Sequence, residues 1–279
     1  MIDYESQLFI GNAGMSLWII WAHLALTVIF FITYKVKFLR QRIGKYLFWN
    51  TLIRLLIEVY FEILLMAALN AHIADWSSPF PAVMFSNVLS VVVLVTVAVT
   101  PFIIMLFFYK RQDKWSDKDF DEKYGGLIEG TRVQSKTVSK GAILAYLLTY
   151  FARRGIFTFS VFILSDYLWL QLAIQKICSL CVLSILLYVR PFSDPRLQRL
   201  EVFNEITILG LSYMLAAFSD MITDPGDRYN YGWLYLALSL LNIATHVILL
   251  LYDTIKKIIR KIKQRFYKKK MQAILKTRS

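Results

Sequence analysis

Long apolar runs alternate with short polar connections through all 279 residues of the chain. The runs cover about residues 16–34, 46–70, 83–108, 155–164, 168–189, 200–218 and 231–252. Most approach or exceed the ~20 residues that a helix needs to cross a bilayer. The run Val91–Val95 alone could be a buried strand, but its setting in a longer apolar stretch favours a spanning helix, with Pro101 as an expected kink. Gly141–Ala152 is apolar and ends at Arg153-Arg154, which reads as an inner-surface helix leading into the fourth run. The pattern predicts an all-α fold, a polytopic seven-helix transmembrane bundle over residues 1–252. A basic amphipathic helix follows over 253–279, where Ile255, Ile258, Ile259, Ile262 and Phe266 recur at helical spacing.

Charge orients this bundle. Lys35, Lys37, Arg40, Arg42 and Lys45 follow the first run, while the connection 71–81 after the second has no Lys or Arg. The long connection 109–140, the Arg190–Arg196 turn and the tail are basic again, and the loop 220–228 is acidic. Of the 32 Lys and Arg, all but Arg54, Lys176 and Arg228 fall in one alternating set. Cytoplasmic connections carry such an excess, which predicts N-out and C-in.

Composition agrees. The chain is 57% hydrophobic, with a mean hydropathy of +0.52, against roughly 45–50% apolar residues in a soluble domain. The net charge of +13 invites a nucleic-acid reading. That reading fails, because apolar spans divide the charge; contact with an anionic inner leaflet explains it better. Cys178 and Cys181 share one run, so no disulfide scaffold is expected, and two small residues on one helix face are. The acidic start Met1–Glu5 is unlike a signal peptide, and the chain reads either as N-out or as the membrane end of a longer polypeptide.

The sharpest local pattern lies in the second run. Asn50, Arg54, Glu58 and Glu62 recur every four residues and form a polar stripe on one helix face. An ionisable residue at bilayer depth costs about 2.5–3.5 kcal/mol on insertion scales, so the stripe is expected to face the bundle interior. At ~1.5 Å rise per residue, Glu62 and Lys176 fall at similar depth, which predicts a pair. Arg54 and Glu205 both lie toward the inner leaflet, as a second pair or a cluster shared with Glu58. The stripe reads in two ways: as an ion or proton path, or as interhelical glue, since membrane polar contacts contribute about 0.6–2 kcal/mol each. In the tail, Lys256, Lys257, Arg260, Lys261, Lys263 and Arg265 are candidates for contact with anionic lipid, or with a calmodulin-like partner. His23 and His246 have no ligand-spaced neighbour, Asp220, Asp224 and Asp227 lack EF-hand spacing, and Tyr124–Gly130 lacks a P-loop ending, so no metal or cofactor is expected. Asn242 and His246 are expected to hydrogen-bond within the bundle.

Tyr124-Gly125-Gly126-Leu127-Ile128-Glu129-Gly130, Arg153-Arg154, Arg190-Pro191-Phe192 and Glu201–Glu205 followed by Tyr213 form an ordered set. In that order they resemble the multi-pass region that ends large cysteine-rich surface proteins of ciliates. They are more distantly similar to the fungal TRP-like, flavin-carrier-type membrane family. The resemblance implies a plasma-membrane protein and, through the TRP-like class, a cation channel. The connection between the last two runs is too short for a re-entrant pore helix and filter. Receptor and retinal-protein marks are missing: no Asp/Glu-Arg-Tyr ends the third run, no Asn-Pro-x-x-Tyr ends the seventh, and the seventh holds no lysine. No soluble-type active site is visible, so a non-enzyme is expected. Three functions remain open: an ion-conducting or ion-transporting TRP-like protein; a receptor-like or anchoring module of a larger surface protein; and a structural subunit of a membrane assembly. Partners expected are the bilayer, its anionic inner-leaflet lipids, and other membrane proteins or further copies of the chain, with no nucleic acid.

Overall fold

The computed structural model describes residues 8–32, 50–133, 138–218, 222 and 224–277. The basic stretch Lys35–Lys45, Asp220 and the flanks of the first two predicted spans lie outside the described residues, as do the side chains of Asn50, Lys257, Lys261 and Arg265. Nine α-helices are described: α1 (Phe9–Asn12), α2 (Gly14–Ile32), α3 (Asn50–His72), α4 (Pro81–Lys110), α5 (Lys118–Tyr124), α6 (Lys140–Ile163), α7 (Leu168–Val189), α8 (Pro195–Ala216) and α9 (Pro225–Thr277). Short 3₁₀ turns at Gln112–Ser116 and Gly125–Leu127 flank α5. Among the described residues the only β pairing is an isolated antiparallel bridge, Thr131 to Phe192.

Among the described residues three helices are long and apolar enough to cross a membrane: α4, α7, and α9 from Pro225 to Arg260. This all-helical fold is compatible with a membrane protein. The other predicted spans differ from these in ways the sequence explains. The helix α3 carries Arg54, Glu58 and Glu62, α6 carries Arg153 and Arg154, and α8 carries Arg196, Arg199, Glu201 and Glu205. In α2 the apolar part is Ser16–Ile32. The predicted inner-surface helix and the short fourth run are one continuous helix, α6. The last run and the basic tail are likewise one 53-residue helix, about 80 Å long at ~1.5 Å per residue.

Helix starts follow from local chemistry. Asp194 and Asp224 each precede a proline and cap a helix. Asp194 Oδ1 accepts from the Arg196 N–H at 2.8 Å, and Asp224 Oδ2 from the Asp227 N–H at 2.9 Å. Proline in the first turn lacks a donor that would be orphaned there anyway. The acidic turn before α9 thus acts as a cap. Ser139 caps α6, its Oγ accepting from the Ala142 N–H at 3.1 Å.

The chain forms two compact units, residues 1–202 and 203–279. In the first, α3 packs on α4 and α6, and α6 on α7. Its main core gathers at one end, where Tyr60, Leu64, Phe108, Trp115, Phe120, Ile143 and Phe151 are all buried. Trp115 folds back under α4, and its indole N–H donates to the terminal Phe108 carbonyl at 3.2 Å. The same carbonyl accepts from the capping Arg111 N–H at 3.2 Å, so the indole adds a second donor at the helix end. At the other end Phe9 is buried with Ala13 and Ala67, and its N–H donates to Ser86 Oγ at 2.7 Å.

The polarity of α4 is inverted. Ser86, Asn87 and Ser90 are buried, while Val88, Val92, Val95, Val99, Phe102 and Leu106 are exposed. Water as solvent would favour the reverse. A lipid surround favours apolar residues outside and small or hydrogen-bonding residues between helices. Phe108 is 1% exposed and joins α4 to the core. Phe108→Ala is expected to destabilise the first unit by about 3–5 kcal/mol, measured as a lowered thermal midpoint in detergent; an unchanged midpoint contradicts this packing.

Candidate functional site

The charged stripe begins at the same end as the main core. Arg54 projects from the first turns of α3 and pairs with Glu129, which is 75 residues away in the Gly-rich loop. Both side chains are about half exposed, at 50% and 62%. The partner of Arg54 is therefore a loop carboxylate. Glu58, one turn further on, is exposed, and Glu62 is half-buried. Among the described contacts there is no ion pair between Glu62 and Lys176. The helix α6 packs against both α3 and α7, with Phe61 of α3 against Phe157 of α6 at 5.7 Å between ring centres. Lys176 is half-buried on α7. Glu205 is buried on the part of α8 that belongs to the second unit.

The Gly-rich loop does more than hold Glu129. It is clasped to the proline turn between α7 and α8. The Arg132 N–H donates to the Pro191 carbonyl at 2.7 Å, and Arg132 Nε donates to the Phe192 carbonyl at 2.6 Å. The Ser193 N–H and Oγ–H both donate to the Gly130 carbonyl, at 2.8 and 3.0 Å. The two segments need unusual backbone at their turning points. Gly130 has φ +75°, and Arg190, which ends α7, has φ +48°. Phe192 packs on Tyr146 of α6, with ring centres 5.4 Å apart. Two motifs about sixty residues apart in sequence thus form one structural unit.

Aromatic and cationic groups reinforce this end. The Arg154 guanidinium lies 3.5 Å from the Tyr150 ring centre, and the Tyr150 hydroxyl donates to the Ile57 carbonyl of α3 at 3.3 Å. Lys140 donates to the Gln112 carbonyl and sits 5.9 Å from the Trp115 ring centre. A polar cleft of about 690 Å³ opens beside the clasp, with Trp115, Lys118, Asp121, Glu129, Arg132 and Ser193 on its walls.

Elsewhere the polar residues act as connectors. In the second unit Asn242 donates to Asn204 Oδ1 at 3.0 Å, and His246 Nδ1 lies 2.9 Å from the Asn242 carbonyl. In the first unit Asn12 donates to Asn70 Oδ1 at 3.3 Å, and Asn70 donates to the Met66 carbonyl at 2.8 Å. Among the described residues no group of three or more His, Cys, Asp or Glu is placed to hold a metal. Cys178 and Cys181 are free thiols. In the tail, Lys256 sits 5.5 Å from the Tyr252 ring centre, and Arg260 and Lys263 are exposed. Sequence reading finds the stripe but misses the clasp and the cleft. Their signal is the co-occurrence of the Gly-rich and Arg-Pro-Phe motifs. No family model, curated protein or solved structure matches this chain.

Two expectations test the local geometry. The φ of Gly130 is left-handed, and a Cβ there would lie 3.5 Å from Leu197, an ordinary contact. Gly130→Ala is therefore expected to cost only the backbone term, about 1–2 kcal/mol, seen as a lower thermal midpoint; no change would show that this backbone conformation is wrong. At the opposite end, Asp75 accepts from the Ser77 hydroxyl and N–H, and these bonds hold its pKa below the ordinary carboxylate value. A folded pKa below the unfolded one adds stability above the ordinary value and loses it as pH falls through the lower, folded value. The Asp75 carboxyl ¹³C signal should titrate below its ordinary range, and Ser77→Ala should move it upward. A midpoint insensitive to Ser77 contradicts the assignment.

Proposed function

We propose that the chain is a non-enzymatic, multi-pass integral membrane protein of TRP-like type, with seven spans, its N-terminus outside and its C-terminus inside. The observation that carries this reading is the joint polarity of sequence and packing. Lys and Arg crowd into alternate connections, and α4 turns its apolar side chains outward and its Ser and Asn inward. In this reading α2, α3, α6 and α8 complete the bundle. Their charged residues are tolerated because they meet protein or snorkel to an interface. Arg54 illustrates this, reaching a loop carboxylate. The clasp and the main core then lie at the inner face, beside the basic connections, and the plasma membrane is the expected location.

Ion conduction or transport is the activity this reading favours. Arg54 is engaged by Glu129, whereas Glu58 and Glu62 have no hydrogen bond or ion pair among the described contacts. Two carboxylates on one span without a fixed partner are suited to binding a mobile cation or proton. Stable glue would use them up, as Arg54 is used. The basic tail would meet anionic lipid on the inner face, each basic residue near the surface contributing about 1 kcal/mol.

Topology and activity are tested separately. Single cysteines replacing Asp75 and Lys118, in a chain whose Cys178 and Cys181 are serine, should label from opposite sides of the membrane; labelling from one side contradicts the span order. Purified chain in liposomes should pass cations, and Glu58→Gln should lower the flux at least tenfold, about 1.4 kcal/mol in barrier, without loss of thermal stability. No flux from the parent chain, with a less stable Glu58→Gln variant, would instead identify the stripe as glue and favour an anchoring or structural role.

A further inference from the structure

The cleft beside the clasp carries two cations and two carboxylates on its walls, and one of the carboxylates, Glu129, is already engaged. Glu129 is paired with Arg54. The Asp121 side chain folds over Gly125, occupying the space a Cβ would need there. Lys118 and Arg132 remain. Lys118 is exposed at the start of α5. Arg132 is half-buried and fixed, because its N–H and Nε are spent on the Pro191 and Phe192 carbonyls at 2.7 and 2.6 Å. Those bonds leave the two terminal guanidinium nitrogens as donors with an orientation already set. Trp115, only 2% exposed, makes a rigid wall. The Thr131 and Ser193 hydroxyls give their protons to the Ile128 and Gly130 carbonyls. An adjoining depression shares Lys118 and adds Arg111, Lys114 and Lys123 against Asp117 and Asp119.

We propose that this cleft is a binding site for a phosphate-bearing anion, held by the fixed Arg132 guanidinium and by Lys118. A planar guanidinium fork with its Nε tied down presents two parallel donors to phosphate oxygens, and a lysine adds a mobile charge. The volume, about 690 Å³, is that of a small-molecule site. It holds far more than a bare phosphate, which leaves room for the group that carries it. The same chemistry is offered by a soluble phosphorylated metabolite and by a lipid headgroup. The site does not depend on whether ions pass through the bundle; only the lipid source rests on the inner-face assignment.

The experiment uses the full chain and two probes. Inorganic pyrophosphate is titrated into detergent-solubilised protein by calorimetry. Nanodiscs of phosphatidylcholine with and without phosphatidic acid report retention of the lipid by native mass spectrometry. Saturable pyrophosphate binding is expected, weakened about tenfold or more, the loss of one charge-assisted bond, in Lys118→Glu and in Arg132→Gln. It should be unchanged when Lys256, Arg260 and Lys263 of the tail are changed to glutamine. Lys118→Glu touches none of the clasp hydrogen bonds, so it decides the matter if Arg132→Gln fails to fold. Selective retention of phosphatidic acid that Lys118→Glu abolishes assigns the site to a lipid; pyrophosphate binding without it assigns the site to a soluble anion. No saturable binding of either probe, binding indifferent to Lys118→Glu, or binding lost only in the tail variant would overturn the proposal.

Discussion

Backbone groups that leave a helix must find partners, and at one end of the first unit they find each other. The loop after α5 and the turn after α7 exchange bonds through Gly130, Arg132, Pro191, Phe192 and Ser193. Each such bond contributes about 0.5–1.5 kcal/mol net, but leaving the groups unpaired against a packed core would cost more. The clasp fixes the Ile128–Arg132 segment and, with it, three other features. Glu129 is held where Arg54 of α3 can reach it. Leu127 and Ile128 enter the main core beside Trp115 and Phe120. Phe192 is set against Tyr146 of α6. The ends of α3, α4, α6 and α7 thereby meet around one small, non-helical assembly.

The helices beyond this assembly are compatible with a different solvent. In the first unit the exposed face of α4 is largely apolar while Ser86, Asn87 and Ser90 are buried, and Asn, Ser and His bond across or along helices in both units. Such contacts are modest singly. Their value is that a misplaced register would leave several of them unmet in an apolar surround. Polar connectors and the clasp thus act together, the connectors fixing the register of the helices and the clasp fixing one end.

Much of this was legible in the sequence because apolar runs and charge asymmetry report solvent directly. The run at 168–189 and α7 coincide, and the Asn242–His246 link appears as its spacing suggests. Charge marks where runs meet but does not by itself end a helix. Arg153 and Arg154 separate two apolar runs but do not interrupt α6, because a guanidinium can lie along its own helix, as Arg154 does over Tyr150. The tail continues α9 for the same reason: no Gly or Pro occurs after Gly232, so nothing local stops the helix. The Arg54–Glu129 pair and the Arg132–Phe192 bond were hidden for a different reason. They join residues 75 and 60 positions apart across an irregular loop, where periodicity carries no information. The Gly-rich and Arg-Pro-Phe motifs marked both halves of the clasp without showing that they meet.

The most direct test of that meeting is a cross-link. Thr131 and Phe192 face each other in the antiparallel bridge, where opposed Cα atoms lie about 4.5–5.5 Å apart, within the span of a disulfide. Thr131→Cys and Phe192→Cys are introduced together into a chain whose Cys178 and Cys181 are serine, and the membrane-embedded protein is oxidised mildly. The clasp predicts rapid intramolecular disulfide formation, abolished when the second cysteine is moved from Phe192 to the exposed Tyr188. Failure of the Thr131–Phe192 pair to link, or equal linking at Tyr188, would contradict it.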